Sequence, residues 1–503
     1  MSIAQRTIHS TAYNVASSLV QTVIQFGRSI VLARILAPEV FGIYAFAGSW
    51  VVATRSLSYF GLGGALLHRA RESEGELALR VHFTLSLGFS IAWAVGLAAL
   101  GPWIVPDTMS REALWALWIL IAADFVDQLT FTARTALIKR VVFRRIALMN
   151  ISTTVIATAT AIVLAWQGFG IWSLVATDIV GALILIIGFY TYRPVWRPRL
   201  GWSKDIVRYF LSFGRRTFLA GVLFQALDRI DDLWTGFFLG ETPLGFYSRA
   251  YRFATYPRSI LASPLNSVAA GTYAELKDKP KRLSQAFFRI NAFLVRSAFL
   301  LAGLLALVAP EFIRLALGAK WLPMLTAFRL MLVFTLLDPI QVTIANLFVA
   351  VGYPEKTVRT RLGQVIILVI GLFILGPVWG IEGVALAVDA MLLAGIALLL
   401  WQARAYVQFS IVRLFAAPTL ALLGGGAATF AVLQIPNVQI SPWYTAAVKI
   451  VVFPLLYLAI LLIVERDELP TMVDMLKQLR PQRSLRWRGN NMGQEKGDRV
   501  EQS

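Results

Sequence analysis

The chain has 503 residues, of which 57% are hydrophobic and only 15% are charged, and its formal net charge is +19. A soluble protein of this length needs more charged residues to cover its surface, so the composition predicts a membrane protein. The chain has no cysteine and only three scattered histidines, which excludes disulfides, thiolate nucleophiles and a histidine metal site.

Long apolar segments recur along the whole chain. Residues 83–105, 146–166 and 362–381 carry no charge, and about 20 apolar residues are enough for a helix to cross a bilayer. The strands of a membrane barrel would show shorter, alternating segments, so we predict an all-α membrane protein with 14 transmembrane helices. The predicted spans are residues 11–34, 40–66, 82–105, 112–137, 146–166, 170–191, 209–238, 244–271, 285–309, 323–350, 361–379, 382–402, 413–434 and 443–464.

The connections between these spans differ in charge from one side of the membrane to the other. Counted alternately from the N-terminus, one set of loops and termini carries 30 Lys and Arg residues and the other carries three, with Arg34 at a boundary. Basic residues accumulate on the cytoplasmic side, so both termini are predicted to be cytoplasmic. The periplasmic loops are short and nearly uncharged. Residues 466–503 are predicted to form a cytoplasmic tail, either an interfacial helix followed by disorder or a solvated segment.

One sequence pattern occurs twice, 203 residues apart. The first copy consists of Leu36-Ala37, Gly42-Ile43-Tyr44 and Arg55-Ser56-Leu57. The second copy has the same spacing and consists of Leu239-Gly240, Gly245-Phe246-Tyr247 and Arg258-Ser259-Ile260. A duplicated half is typical of membrane carriers whose site lies between two related bundles. We therefore predict an N-terminal lobe of six helices over residues 1–200 and a C-terminal lobe of six over 201–405. Two added helices cover 406–465.

The first predicted span has one polar face. Asn14, Ser18, Gln21, Gln25 and Arg28 follow spacings of 4, 3, 4 and 3 residues, which places all five on one side of a helix. Lipid disfavours such a face, so it must contact protein or water. The sequence leaves two interpretations open, the wall of a substrate cavity and hydrogen bonding between helices.

Several arginines fall inside predicted spans. Arg55 and Arg258 occupy equivalent positions of the repeat, and Arg249 and Arg252 precede Arg258 at near-helical spacing. Arginine binds phosphate oxygens through two parallel hydrogen bonds. We expect these four arginines and Arg28 to face a cavity between the lobes and to bind an anion such as a phosphate group, which the family resemblance described below identifies as a pyrophosphate. The alternative is that they pair with acids or reach toward the membrane interface.

Acidic residues also lie within the predicted membrane region. The seventh span ends in Asp228, Arg229, Asp231 and Asp232, and Asp231 is equivalent to Arg28 in the repeat. Acids in membrane spans bind coupling protons or sodium ions, or form static salt bridges. The sequence thus predicts that this cluster gates or couples transport, with the salt-bridge latch as the alternative. The further candidates for ion coupling are Asp124, Asp127, Asp178, Asp338 and Asp389.

Three segments carry a family resemblance. They are Arg34–Tyr44, Lys139–Arg144 and Leu227–Arg252. Together they resemble the polysaccharide-transporter branch of the multidrug/oligosaccharidyl-lipid/polysaccharide exporter superfamily. The resemblance implies two six-helix lobes that form a V around a central cavity. It also implies a flippase of the bacterial inner membrane, which moves undecaprenyl-pyrophosphate-linked sugar units to the periplasmic leaflet for O-antigen, capsule or exopolysaccharide. By helix position, the essential arginines of related flippases correspond to Arg28, Arg55 and Arg252.

The resemblance also implies a set of partners. These are the lipid-linked oligosaccharide, membrane lipid, a coupling proton or sodium ion, and the polymerase and chain-length proteins of the pathway. No Gly-x-x-x-x-Gly-Lys-Ser/Thr loop is present, so no ATP or other cofactor is expected, and neither is a nucleic acid. The alternative functions are a peptidoglycan lipid-precursor flippase and a multidrug exporter of the same fold. A membrane enzyme of polysaccharide assembly fits less well, because the short periplasmic loops offer no catalytic groups.

Overall fold

The computed structural model describes residues 3–68, 75–140, 143–191, 194, 196–434 and 441–466, and within these ranges it contains helices and no strands. The helices are α1 (Ile3–Ile35), α2 (Pro38–Tyr59), α3 (Leu62–His68), α4 (Glu76–Ile104), α5 (Arg111–Gln128), α6 (Phe131–Lys139), α7 (Phe143–Trp166), α8 (Ile171–Tyr190), α9 (Lys204–Leu227), α10 (Ile230–Leu239), α11 (Glu241–Leu276), α12 (Pro280–Phe312), α13 (Leu325–Ala350), α14 (Glu355–Ala403), α15 (Ile411–Leu433) and α16 (Pro442–Val464). A π-helical turn (Ile313–Leu317) and a 3-10 helix (Ala319–Met324) join α12 to α13. Beyond residue 466, the predicted tail lies outside the described residues.

The described residues form a membrane protein made of helices, as the composition predicts. Within them, nine helices are long and apolar enough to cross a membrane, and the bent pair α5 and α6 would make a tenth if it forms one span. Helices α1, α9, α10 and α11 are not among these, although each lies where a span is predicted. They include the segments whose polar residues the sequence analysis singles out. The count of 14 spans therefore stays a prediction.

Two backbone breaks refine the predicted span boundaries. Phe60 and Gly61 have positive φ angles of 40° and 67°, so α2 ends there and α3 forms a separate short helix inside the predicted span 40–66. A positive φ is unfavourable for a bulky L-residue such as Phe60, which marks a locally constrained backbone. Gly380, with φ of 56°, divides the long α14 at the predicted junction between spans 361–379 and 382–402.

Helices that are close in sequence pack mainly against one another. Helices α1, α2, α4, α5, α7 and α8 form one connected group, α10 to α14 form a second, and α15 and α16 pack together against α12. The two groups meet most extensively along α2 and α11, the helices that carry the two copies of the repeat, while α9 also contacts α2 and α3. The α2–α11 contact positions the site described below.

Helices α2 and α11 approach so closely that their backbones touch at two glycines. A Cβ atom on Gly42 would lie 1.7 Å from the carbonyl oxygen of Glu241, and a Cβ on Gly245 would lie 2.0 Å from that of Pro38. Gly42 is equivalent to Gly245, and Pro38 to Glu241, in the 203-residue repeat. The contact is therefore the same from both sides, as in a two-fold interface. Only glycine permits helices to come this close. This contact is termed the glycine crossing.

Polar contacts surround the glycine crossing at the same end of the molecule. The Thr242 hydroxyl donates to the Glu39 carboxylate over 3.1 Å, again between equivalent positions of the repeat. Lys320 donates to two carbonyl oxygens at the end of α1. The fully buried Trp321 donates from Nε1 to the carbonyl oxygen of Ala33 over 2.8 Å. This end is thus closed by backbone contact, hydrogen bonds and a large aromatic side chain.

The other end of α2 is closed chiefly by apolar packing. Leu62 of α3 packs with Val207 and Phe210 of α9 in a separate small core. A Cβ atom on Gly214 of α9 would lie 2.3 Å from the carbonyl oxygen of Phe60, so α9 also approaches the α2–α3 break closely. The stretch of α2 between these two closures borders the cavity described below.

The last helix, α16, is attached to α12 by two ion pairs that are largely shielded from solvent. Arg296 of α12 forms two hydrogen bonds with the Glu465 carboxylate just after α16, and these side chains are only 5% and 9% exposed. Lys449 of α16 contacts Glu311 at 2.7 Å. Removing one partner of a buried pair leaves an uncompensated charge, so these pairs fix α16 against α12.

Replacement of either crossing glycine by alanine is expected to destabilise the protein. The added Cβ would overlap a backbone carbonyl, and overpacking of this kind costs about 1–3 kcal/mol or more. Thermal unfolding of the purified protein in detergent should therefore show a lower midpoint for Gly42→Ala and for Gly245→Ala. Gly88→Ala on α4 is the matched control, because a Cβ there has no neighbouring atom within 4 Å. Equal midpoints for all three variants would contradict the close crossing.

Candidate functional site

A cavity of about 440 Å³ lies between the two groups of helices. Helix α2 contributes residues from Tyr44 to Arg55, so the cavity begins next to the glycine crossing and ends before the α2–α3 break. Its lining is rich in charged and hydroxyl groups, which lipid does not tolerate and which a polar substrate requires. These lining residues are Tyr44, Ser49, Arg55, Asp124, Asp127, Thr153, Thr177, Asp178, Arg229, Asp232, Ser248, Arg249, Tyr251, Arg252 and Thr255.

Arg55 is held by two carboxylates on α5. Its Nη2 atom is in direct ion-pair contact with Asp124 Oδ1, and Asp127 Oδ2 lies 3.7 Å from the same nitrogen. The second oxygen of Asp124 accepts from Gln128 Nε2, and Gln128 in turn accepts from Ser90. Within the described part of the chain, the buried Nε of Arg55 has no hydrogen-bond partner. The charge of Arg55 is therefore neutralised, but one of its donors remains unused.

Arg249 and Arg252 on α11 have no acidic partner. Among the described residues, no carboxylate oxygen lies within 4.0 Å of either guanidinium. Arg249 is only 8% exposed, packs over the ring of Phe41 with 4.4 Å between guanidinium carbon and ring centre, and has an unpartnered Nε. Arg252 lies about one helical turn away and is exposed, so the two like charges repel each other and the buried Arg249 also loses hydration. An anion bound beside them would relieve both costs.

Tyr44 and Asp178 form a third polar contact in the cavity. The Tyr44 hydroxyl donates to Asp178 Oδ2 over 2.8 Å, and the Thr177 hydroxyl lies 3.3 Å from the same oxygen. Asp178 is exposed although it lies in the middle of α8, so its carboxylate faces the cavity rather than lipid. From the sequence, Asp178 is only one of several membrane acids, and Tyr44 is not predicted as a site residue. The one sequence feature that singles out Tyr44 is its position in the repeat.

The polar face of α1 is only partly explained by the cavity. Gln21 accepts a hydrogen bond from Thr154 of α7 over 3.5 Å, which is the contact between helices that the sequence left as an alternative. Gln25 and Arg28 are half-buried. Arg28 is close enough to Asp178 for an electrostatic interaction. In the described part of the structure, none of these three α1 side chains is among the cavity-lining residues.

The acid cluster at the α9–α10 junction contributes one residue to the cavity. Asp232 lines it, accepts from the Ser49 hydroxyl over 3.1 Å and pairs with Arg229 at 3.0 Å. Asp231 is buried and accepts from the Tyr247 hydroxyl over 2.5 Å. Ser49 belongs to α2 and Asp232 to α10, so this hydrogen bond joins the two groups of helices.

The remaining predicted residues lie elsewhere. Asp228 is exposed at the α9–α10 junction, and Asp338 is buried on α13; neither is among the lining residues found in the described ranges. The side chains of Asn14 and Arg258 lie outside the described residues. Within the residues described, no group of three His, Cys, Asp or Glu side chains is arranged to hold a metal ion.

Comparison with known proteins supports the predicted family. Residues 31–326 match the family model described as "polysaccharide biosynthesis protein". The succinoglycan biosynthesis transport protein ExoT of Rhizobium meliloti is 29% identical over 297 residues, 58% of either chain, so the match spans less than two thirds of that protein. The lipopolysaccharide biosynthesis protein WzxC of Escherichia coli is 23% identical over 394 residues, which are 77% of this chain and 78% of WzxC.

Solved structures of transporters share the fold. The lipid II flippase MurJ in an inward closed conformation superimposes with a TM-score of 0.75 at 14% identity, over 92% of this chain and 100% of MurJ. An inward-facing multidrug-resistance MATE transporter of the MOP superfamily gives a TM-score of 0.53 at 19% identity, over 79% of this chain and 94% of the transporter. At such identities the similarity concerns the fold alone. ExoT, MurJ and the MATE protein are named as a transport protein, a flippase and a transporter rather than as enzymes, in agreement with the prediction that the chain is not an enzyme.

The contact between Arg55 and Asp124 should be measurable as an energetic coupling. Neutralising one partner leaves the other charged and partly buried, whereas neutralising both removes that penalty. A double-mutant cycle with Arg55→Gln and Asp124→Asn, followed by unfolding in mixed detergent, should give a coupling energy of about 1–3 kcal/mol. The same cycle with Asp205→Asn, an exposed acid at the start of α9, should give none. Additive effects for Arg55 and Asp124 would contradict the ion pair.

Proposed function

Because the chain belongs to the polysaccharide biosynthesis protein family, we propose that it is a flippase for lipid-linked oligosaccharides. It would move undecaprenyl-pyrophosphate-linked repeat units from the cytoplasmic to the periplasmic leaflet of the bacterial inner membrane. The names of ExoT and WzxC, a succinoglycan transport protein and a lipopolysaccharide biosynthesis protein, support an export step in the synthesis of a surface polysaccharide.

The observation that carries this proposal is the cationic wall of the cavity. Arg249 and Arg252 face a polar cavity within the membrane and lack acidic partners in the described part of the chain. A pyrophosphate supplies the missing negative charge and accepts several hydrogen bonds from guanidinium groups. The hydroxyls and carboxylates on the other walls, among them Tyr44 and Asp178, suit the hydroxyl groups of a sugar.

We assign the predicted site residues accordingly. Arg249 and Arg252 form the first anion site, and Arg55 joins it from α2. Arg28 lies at the edge of the site near Asp178, and Gln25 precedes it by three residues on the same helical face. The other candidates for substrate contact, which remain predictions, are Gln21, Asn14 and Arg258.

The architecture that we propose follows the repeat. Residues 1–200 and 201–405 form two lobes of six helices each, arranged as a V around the cavity, and residues 406–465 add two helices. The tail over 466–503 lies in the cytoplasm. With 14 spans, both termini are cytoplasmic and the glycine crossing faces the periplasm.

Transport is proposed to be coupled to a proton or sodium ion through membrane acids. The candidates in the cavity are Asp124, Asp127 and Asp232, and Asp231, Asp228 and Asp338 lie beyond its lining. Contact with the polymerase and chain-length proteins of the same pathway is part of the proposal.

Two alternative functions make different demands on the cavity. A multidrug exporter for cations would be opposed by the unneutralised charges of Arg249 and Arg252. A peptidoglycan-precursor flippase also handles a pyrophosphate, so the cavity is compatible with it, and the structural similarity to MurJ concerns the fold only. The match to the polysaccharide family favours a surface polysaccharide.

Alanine replacement of the cavity arginines should abolish or severely reduce export. A charge-assisted contact to phosphate contributes about 1.5–3 kcal/mol, so each loss should weaken substrate binding roughly ten- to a hundredfold. Arg249→Ala, Arg252→Ala, Arg28→Ala and Arg55→Ala are tested for restoration of surface polysaccharide in a deletion strain, with protein level measured in parallel. Lysine at the same positions should restore part of the activity, because it keeps the charge but not the two-pronged hydrogen bonding.

Arg413→Ala serves as the control, because Arg413 is exposed at the start of α15, away from the cavity. It should export normally. Normal export by Arg249→Ala and Arg252→Ala at normal protein level would refute the anion site.

The proposed topology is tested with reporters fused after Glu465. Both termini are predicted to lie on the cytoplasmic side, so a reporter active only in the cytoplasm should function there and a periplasmic one should be inactive. A second fusion in the loop between α4 and α5, at Asp107, should show the opposite pattern. A periplasmic signal after Glu465 would exclude the orientation and the even number of spans together.

A further inference from the structure

We propose that Arg55 is an exchangeable ligand, which the substrate pyrophosphate takes from Asp124 and Asp127, and that these carboxylates take up a proton as the anion binds. The inference rests on the proposed function, because the anion is the pyrophosphate of the lipid-linked substrate. It names a coupling site for protons and the step at which the proton is bound.

The first argument is the imbalance of charge in the contact. One guanidinium faces two carboxylates, Asp124 in direct contact and Asp127 at 3.7 Å. The side chain of Arg55 is 32% exposed, whereas those of Asp127 and Asp124 are 24% and 6% exposed. All three side chains line the cavity, and the cation is the most exposed member of the cluster.

The second argument is the geometry of the guanidinium. Nη2 of Arg55 contacts Asp124, while the adjacent Nε is buried without a partner in the described structure. Phosphate binds arginine best through two neighbouring N–H groups. When Arg55 turns toward the cavity, a phosphate that binds Nε together with Nη2 competes with Asp124 for Nη2. The anion and the carboxylates thus compete for the same edge of one side chain.

The third argument concerns the carboxylates after displacement. Both have been within ion-pairing distance of one nitrogen, so they remain close together when Arg55 turns to the phosphate. Two buried carboxylates at close range do not both stay ionised, and one binds a proton. The neighbouring groups do not replace the lost cation. Around the two acids, the charged or titratable groups are Tyr59 from α2, Arg134 from α6 and Asp178 from α8, with only uncharged Ser90 reaching in from α4 through Gln128.

Among these neighbouring groups, Arg134 is the other cation. In the described structure it makes no ion pair within 4.0 Å with Asp124 or Asp127. Asp178 adds a further negative charge on the same side of the cavity. Asp232 is a less suitable coupling site, because it keeps Arg229 and the Ser49 hydroxyl whether or not Arg55 binds an anion. The exchange is therefore assigned to Arg55, Asp124 and Asp127.

Competition of this kind makes proton and anion binding reciprocal. Protonation of the acids frees Arg55 for the phosphate, and phosphate binding promotes proton uptake by the same factor. With one proton bound per substrate, the affinity for the anion rises about tenfold for each unit by which the pH falls. When the anion leaves, Arg55 pairs again with Asp124 and the proton is released.

The test is calorimetric titration of the full-length protein in detergent with undecaprenyl-pyrophosphoryl-N-acetylglucosamine between pH 6 and 8. Its pyrophosphate is a diester and does not itself titrate in this range. Measurements in two buffers of different ionisation enthalpy give the number of protons taken up. The wild type should take up about one proton per bound molecule and bind about tenfold more tightly per unit fall in pH.

The double variant Asp124→Asn, Asp127→Asn should bind with no proton uptake and with an affinity independent of pH, since Arg55 is already available. Arg55→Ala should bind more weakly and also without proton uptake, which tests the same link if the double variant does not fold. Asp205→Asn should behave as the wild type. Wild-type binding without proton uptake, or unchanged uptake in the double variant, overturns this inference and leaves the proposed function standing. No binding to the wild type at any pH contradicts the proposed function itself.

Discussion

Direct backbone contact between α2 and α11 is the constraint on which the rest of the structure depends. Gly42 and Gly245 bring two helix backbones together where any side chain would hold them apart. Because the repeat supplies a glycine at both equivalent positions, the same contact forms from both sides. The hydrogen bonds of the closed end assemble around this point. The cavity starts within one helical turn of the glycine crossing, at Tyr44. The crossing therefore positions both the closed end and the cavity.

Equivalent positions of the repeat carry different side chains, and this difference gives the cavity its charge. Arg249 and Arg252 of the second copy correspond to Phe46 and Ser49 of the first. Phe46 is fully buried in the core, and Ser49 binds Asp232 across the interface. Four cations at these positions would repel one another strongly in a buried space. The duplicated framework thus supplies shape, while its divergence supplies one cationic wall and one that carries acids and hydroxyls.

The cavity contains an arginine that is paired with acids and arginines that are not, and each kind suits a different step of transport. In the described structure no acid pairs with Arg249 or Arg252, which suits them to the proposed anion site, whereas Arg55 is already paired with Asp124. A site made only of unpaired cations would retain a pyrophosphate too firmly to release it. Entry and exit both require an affinity that is limited and adjustable. In the exchange proposed above, a carboxylate that competes for Arg55 would provide such an adjustment, because it would replace the substrate on Arg55 as the substrate leaves.

The sequence by itself determined the membrane class, the helical state, the repeat and the family. These properties follow from local hydropathy, from helical periodicity and from motifs, which depend on residues that are near one another in the sequence and not on which helices are in contact. It also identified Arg55, Arg249 and Arg252 as charges within the membrane. Only the tertiary structure decided which of them has a partner. Asp124 is 69 positions from Arg55, and Gln21 bonds to Thr154 on another helix instead of lining the cavity. The break at Phe60, which α9 approaches closely, is likewise visible only in the structure. Such pairings depend on how helices are placed around the glycine crossing, and hydropathy contains no information about which faces meet.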